Sequence, residues 1–220
     1  MKSKFALAAL AVPVGLAAYV TFHPGIAYAE PAYAQPGREI ALQEGSFTAD
    51  PMHTSVGFQI QHLGISQVQG RFEKVSGKLS GDPKKPEGGS VEFTIQADSV
   101  NTAVTPRDNH LKSPAFFDAA KYPTITFKST KIRKAGKGYV AEGQLTMKET
   151  TKPISIPFKL YGPITDPWGG TRVGVVAEPI TVNRQDYGIA YNDKLPDGTP
   201  AVANEVTIRL SMEAVQDKPK

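Results

Sequence analysis

From residue 53 onward the chain alternates apolar and polar residues with a period of two. His53-Thr-Ser-Val-Gly-Phe-Gln-Ile-Gln-His62 sets Val56, Phe58 and Ile60 on one face, with Ser55, Gln59 and Gln61 on the other. Val91-Glu-Phe-Thr-Ile-Gln96 repeats the pattern with Val91, Phe93 and Ile95. So do Ile125-Thr-Phe127, Ile154-Ser-Ile-Pro-Phe-Lys-Leu160 and Val206-Thr-Ile-Arg-Leu-Ser-Met212. Successive side chains on a strand point to opposite faces, so this alternation marks strands with one buried and one wet face, as in an antiparallel sheet. Turn-forming clusters separate the runs: Gly81-Asp-Pro-Lys-Lys-Pro-Glu-Gly-Gly89, Lys134-Ala-Gly-Lys-Gly138 and Gly162-Pro-Ile-Thr-Asp-Pro-Trp-Gly-Gly170. The spacing predicts roughly eight strands, many in hairpin order. The expected fold is all-β, an antiparallel eight-stranded barrel.

One stretch departs from the period. Thr105-Pro-Arg-Asp-Asn-His-Leu111 opens with a capping Thr, a Pro at the first helical position and an early Asp, which predicts a short helix. Ser113-Pro-Ala-Phe-Phe-Asp118 begins in the same way. A helical insert near residues 105–118 between two strands stands where it could cap one mouth of a barrel. An eight-stranded barrel is either filled by its own side chains or holds one small ligand. The alternation leaves both outcomes open.

The N-terminus reads as a secretory signal. Lys2 and Lys4 precede an uncharged run from Phe5 to Phe22, followed by two A-x-A sites, Ala27-Tyr-Ala29 and Ala32-Tyr-Ala34. An uncleaved anchor is the alternative, although Pro13 and Gly15 interrupt the run. The expected organisation is a signal peptide over 1–34, cleaved after Ala29 or Ala34, a linker over 35–41, a barrel domain over 42–216 and a polar tail over 217–220. The chain has 25 basic and 21 acidic residues. Cleavage after Ala34 removes Lys2, Lys4 and Glu30, leaving 23 against 20, or +3, and cleavage after Ala29 leaves +2. No basic stripe with interleaved aromatics occurs, so composition offers no support for a nucleic-acid partner. With no cysteine in the chain, disulfides, thiol nucleophiles and Cys-ligated metals are excluded.

Several blocks along the chain are specific. Asp50-Pro-Met-His-Thr-Ser-Val-Gly-Phe-Gln-Ile-Gln-His62 resembles the D-x-x-H-[ST]-x-[VI]-x-F-x-[VI]-x-H opening of the YceI-like family. Gly70-Arg-Phe-Glu-Lys-Val-Ser-Gly77 is similar to its G-x-F-x-x-[VF]-x-G strand. Asp98-Ser-Val-Asn-Thr102, Arg107-Asp-Asn-His-Leu-Lys-Ser113, Phe116-Phe-Asp118 and Tyr122-Pro-Thr-Ile-Thr-Phe127 follow in the family's order. Gly143-Gln-Leu-Thr-Met147, Thr151-Lys-Pro-Ile154 and Arg184-Gln-Asp-Tyr-Gly188 complete the match. Where relatives often place a Gly after G-x-L-T-[IM], this chain has Lys148-Glu-Thr-Thr151, a departure that bears on hairpin geometry. The resemblance implies a lipocalin-like barrel, periplasmic or secreted, whose apolar channel binds a long polyisoprenoid or isoprenoid quinone without catalysis and with no required cofactor. Transient membrane contact and a homodimer are compatible with it.

On that reading the ligand-binding set is Phe58, Ile60, Phe72, Phe93, Ile95, Phe127, Leu145, Ile156, Phe158 and Val175, with Arg107 and His110 at a mouth. For the apolar residues the alternative is plain core packing. Arg107, Asp108, His110, Lys112 and Ser113 either bind a polar headgroup, such as a quinone carbonyl or a phosphate, or form a network that pins the helix, with Arg107 paired to Asp108 or Asp118. Arg184 and Asp186 flank a turn and read as structural. His53 and His62 are nine residues apart on one strand, about 30 Å if straight, too far to share a metal; no metal site is expected. Asp50 and His53 would instead hold a strand start, and His62 a strand end. No G-x-S-x-G, H-E-x-x-H or phosphate loop supports an enzyme using His110 and Asp108. A protein-binding scaffold has only Trp168, in an expected loop, as its hint.

Overall fold

A computed structural model of the protein describes residues 45–218. The expected signal peptide and linker lie outside the described residues. The strands are β1 (Gly45–His62), β2 (Ser66–Phe72), β3 (Val75–Asp82), β4 (Lys85–Gln96) and β5 (Val100–Asn101), followed by one helix, α1 (Thr105–Lys112). Then come β6 (Thr124–Ala135), β7 (Gly138–Met147), β8 (Thr150–Thr165), β9 (Thr171–Ala177), β10 (Ile180–Asn183) and β11 (Val202–Gln216). Eight of them, β1, β3, β4, β6, β7, β8, β9 and β11, hydrogen-bond in that order, and β11 pairs back onto β1 to close the ring. All pairings are antiparallel. The fold is the closed eight-stranded barrel that the alternation predicts.

The barrel is longer on one side than the other. β1 and β11 pair along nearly their whole length, from Phe47 opposite Gln216 to His62 opposite Val202. β1 is flanked by β3 over Gly45–Thr48 and by β2 over Val56–His62. β11 is flanked likewise by β9 and then by β10. The upper half of the barrel is thus a four-stranded wall of β10, β11, β1 and β2. Facing it is the segment from residue 97 to 123, which carries α1 and joins β4 to β6.

Several local boundaries differ from expectation. Val104, not Thr105, caps α1, because the Asp108 N–H bonds the Val104 carbonyl at 3.0 Å. Residues 113–117 form a turn instead of a second helical start: the Ser113 N–H and hydroxyl both return to the His110 carbonyl and end α1. Gly162-Pro163 lies inside β8, where the register against β9 slips between Tyr161 and Ile164, so the hairpin turn is confined to residues 166–170. Lys85–Gly89 likewise extends β4. At the departure from the family pattern, Lys148 adopts a left-handed φ of 54°, the conformation a glycine takes at no steric cost. Asp217, assigned to the tail, bonds β1 through its N–H to the Ser46 carbonyl and its carboxylate to the Thr48 hydroxyl.

The lower end is largely filled by side chains. Phe47 and Met212 are each 1 % exposed, and Ala214 is completely covered. Outside this end, a charged cluster ties β1, the β8–β9 hairpin and β11 together. Arg172 donates from Nη1 to Asp50 at 2.7 Å and from Nε to Asp166 at 2.7 Å, and its Nη1 also approaches Glu213 at 3.4 Å. Asp166 in turn accepts the N–H groups of Trp168 and Gly170, which shapes the hairpin turn. His53 Nδ1 stands 3.0 Å from Asp50 Oδ2, but the pair lies within β1, at the register slip between Ala49 and Thr54, and not at the strand start expected of it. Asp50, His53 and Glu213 have potential metal-ligand atoms within 4.8 Å of one another. Arg172 already brings its positive charge to two of the three, Asp50 and Glu213.

Two outcomes follow from this packing. Phe47→Ala removes a ring from a filled base and is expected to cost about 3–5 kcal/mol in urea unfolding, whereas Phe58→Ala, whose inward ring is only half-buried, costs clearly less. Equal losses would mean that the upper barrel is as solid as the base. Arg172 and then His53 hold the Asp50 carboxyl down from 3.8 to about 2. A depressed folded-state value contributes stability that is present above the unfolded value and lost as pH falls through the folded one. The melting temperature should therefore fall between pH 3.8 and about 2, and Asp50→Asn should flatten that limb; an unchanged acid limb in the variant would assign it elsewhere.

Candidate functional site

Inward residues of the upper barrel are only half-buried, although their strands place them inside: Phe58, Ile60, Ile95, Ile156, Val206 and Ile208 among them. They face a cavity of about 490 Å³. Small-molecule sites typically occupy roughly 300–1,000 Å³ and are mostly apolar with a few placed polar groups. This cavity matches that description. Its walls are the four-stranded side of β10, β11, β1 and β2, the inner faces of β4, β6, β7 and β8, and the inner side of the 97–123 segment.

Ten of the sequence-predicted residues line it together: Phe58, Ile60, Phe72, Phe93, Ile95, Arg107, His110, Phe127, Leu145 and Ile156. Phe158 and Val175 do not reach it. They sit lower on β8 and β9, where the walls draw in, and line a smaller void of about 60 Å³ toward the base. His62, expected at a strand end, is there and also faces the cavity. Unexpected contributors are Leu111, Phe116 and Phe117 from the insert, and Ile180, Val182, Ile189 and Tyr191 from the β10 side. The insert phenylalanines carried an apolar signal in the sequence, but outside any period of two. The approach of residues 180–191 had no local signal, because it depends on β10 pairing with β11.

Three aromatic groups gather at the α1 end. Tyr191 stacks on Phe116 with ring centres 4.8 Å apart, and His110 stands edge-on to both, 5.0 Å from Phe116 and 5.4 Å from Tyr191. A bond to Asp193, followed by burial, pushes the Tyr191 hydroxyl above its ordinary pKa, so it stays protonated with its proton directed at the Asp193 carboxylate. Beside them, Arg107 is held in place: its Nε donates to Thr102 Oγ1 at 2.7 Å and its Nη2 to the Thr102 carbonyl at 2.9 Å. Asp108 accepts from the Thr102 N–H at 2.8 Å and from its hydroxyl. The polar network expected around α1 therefore runs through Thr102, which bridges Arg107 and Asp108. Arg107 belongs to that network and lines the cavity at once.

Arg184 is 3 % exposed. Its guanidinium donates to the carbonyls of Ile189, Ala203 and Val202 and to Asn204 Oδ1, at 2.7 to 3.3 Å. Burial lowers its pKa. These bonds fasten the turn after β10 to the start of β11, the structural role expected of it. Because it also lines the cavity, the ionisable side chains around that space are Arg107, Arg184, His62, His110 and Tyr191, and no carboxylate is among them. The cavity suits an apolar body with an electron-rich polar end toward α1.

Asp108 and His110 do not form an acid–base pair. They are two apart on α1, a spacing that turns side chains to different faces of a helix, and Asp108 Oδ1 is occupied by Thr102.

Comparison with known proteins places this architecture. The model of the YceI-like domain matches residues 47–214. Protein YceI of Escherichia coli is 41 % identical over 166 residues, covering 76 % of this chain and 83 % of that one. The crystal structure of the Campylobacter jejuni YCEI protein superposes with a TM-score of 0.62 at 29 % identity, over 82 % of this chain and 99 % of that one. A polyisoprenoid binding domain from Saccharophagus degradans, implicated in plant cell wall breakdown, shares the fold at a TM-score of 0.59 and 14 % identity, over 80 % of this chain and all of its own. A family match that spans the ring from the start of β1 to the end of β11 leaves one assignment: the chain belongs to the YceI-like family.

Proposed function

We propose that this protein is exported and holds the hydrocarbon chain of a polyisoprenoid or isoprenoid quinone inside the barrel, acting by binding and without catalysis. The observation that carries the reading is the cavity of about 490 Å³, walled by Phe, Ile, Leu and Val side chains and left unfilled by them. Burial contributes about 0.8 kcal/mol per CH2, so a dozen methylenes give about 10 kcal/mol before the cost of immobilising the ligand. Such a site needs no polar motif for affinity. The printed description of the Saccharophagus degradans domain as polyisoprenoid binding is consistent with it. The headgroup would lie at the α1 end, where Arg107 and His110 can donate to a quinone carbonyl or a phosphate oxygen. Exposed Ile65 and Val104 near this end offer contact with a membrane during loading.

Two measurements test the reading. Organic extraction of protein purified without detergent, followed by mass spectrometry, should yield one prenyl lipid per chain; an intact barrel that releases only fatty acid, or nothing, would contradict it. N-terminal sequencing of the exported protein should begin at Glu30 or Gln35, whereas a membrane-held chain retaining Met1 would contradict cleavage.

A further inference from the structure

The main cavity and the void below it share part of their lining. Phe93, Phe127, Ile156, Ala177 and Leu210 border both. These five side chains form a waist between an upper chamber of about 490 Å³ and a lower one of about 60 Å³. The lower chamber ends beneath the β3–β4 hairpin, where Pro83 is half-buried and Pro86 buried. It is a dead end.

Phe93 and Phe127 are direct cross-strand partners on β4 and β6. Each ring lies over a glycine of the strand beyond. Gly77 of β3 pairs with Phe93, and a Cβ placed on Gly77 would come within 3.1 Å of ring carbons Cδ1 and Cε1. On the other side, a Cβ on Gly143 of β7 would stand 2.7 Å from Cε2 and Cζ of Phe127. Carbon atoms settle at about 3.5–4.0 Å, so the rings occupy space that any side chain at these positions would fill. They therefore lie along the barrel wall instead of reaching across the lumen. Phe58 makes the same arrangement over Gly70 in the upper chamber. On the opposite side of the waist, Ala177 contributes only a methyl group.

We propose that this waist sets the length of chain the protein accepts: Phe93 and Phe127, laid back over Gly77 and Gly143, admit the far end of a prenyl chain into the lower chamber, whose small volume caps the longest chain held. The proposal rests on the isoprenoid-binding reading, and adds to it where the chain ends and which residues decide its length. Gly77, Gly143 and Ala177 are then specificity determinants through their smallness. Adding a methyl at Gly77 drives the Phe93 ring inward. A large residue at Ala177 fills the waist from the other wall.

Native mass spectrometry after incubation with a ladder of linear prenyl alcohols, from farnesol to solanesol, tests this with wild type, Gly77→Ala, Ala177→Phe and Phe127→Leu. Alcohols keep headgroup charge out of the comparison, and thermal melting confirms that each variant is folded. Gly77→Ala and Ala177→Phe should keep the shorter alcohols and lose the longest one that wild type holds, by about a hundredfold or more for each isoprene unit excluded. Phe127→Leu, which narrows neither chamber, should keep every alcohol that wild type holds. Folded Gly77→Ala and Ala177→Phe proteins sharing the wild-type limit would overturn the proposal while leaving isoprenoid binding intact. A wild-type protein that takes no prenyl alcohol would overturn both.

Discussion

The bore of a closed antiparallel ring is fixed by its strand number and stagger, and everything else in this protein answers to that constraint. Once β11 pairs back onto β1 along almost its full length, the walls cannot move together to remove empty space. The interior must be filled by side chains or by something else. At the base it is largely filled, by Phe47, Met212 and their neighbours. Higher up it is not, because Phe58, Phe93 and Phe127 lie against glycines instead of reaching across. The hollow is a product of which residue stands beside each ring. A barrel of the same strand order with alanines at those glycines would present the same alternation and a narrower lumen.

The two ends are built with different chemistry. The base is tied from outside by Arg172 bridging Asp50, Asp166 and Glu213 across three parts of the ring, so that β1, β8–β9 and β11 are held in register where the core is densest. At the other end, closure is left to the 97–123 segment and the turn after β10. These are fastened by Thr102 between Arg107 and Asp108, and by the buried Arg184 on backbone carbonyls. A segment held by a few polar bonds and an aromatic cluster can open at lower cost than a strand in a ladder. The end that opens at lower cost is thus the α1 end, which also carries the cavity's cationic groups.

The faces of β1, β4, β6, β8 and β11 were legible because a half-buried strand writes its geometry as a period of two. That pattern brought Phe58, Ile60, Phe93, Ile95, Phe127 and Ile156 to one interior correctly. It misplaced the depth of Phe158 and Val175, because alternation reports which side a residue faces and carries no information on where along the axis the lumen narrows. Whether the interior was hollow was illegible for a related reason. That property depends on Gly77 lying opposite Phe93 and Gly143 lying beside Phe127, pairings between residues far apart in sequence. Around α1 the presence of a helix and a polar network was readable from Pro106, Asp108 and Arg107. Thr102 as their hub was not, since it lies before the helix in a stretch with no period.

The central claim is that the upper barrel is a hollow occupied by a hydrocarbon chain. A crystal structure of the protein purified without added lipid tests it most directly. The account predicts continuous elongated density running from the Arg107 and His110 end, past the Phe93 and Phe127 rings, to the base of the β3–β4 hairpin. Phenylalanine side chains turned across the lumen, or a chain of ordered waters in their place, would contradict it.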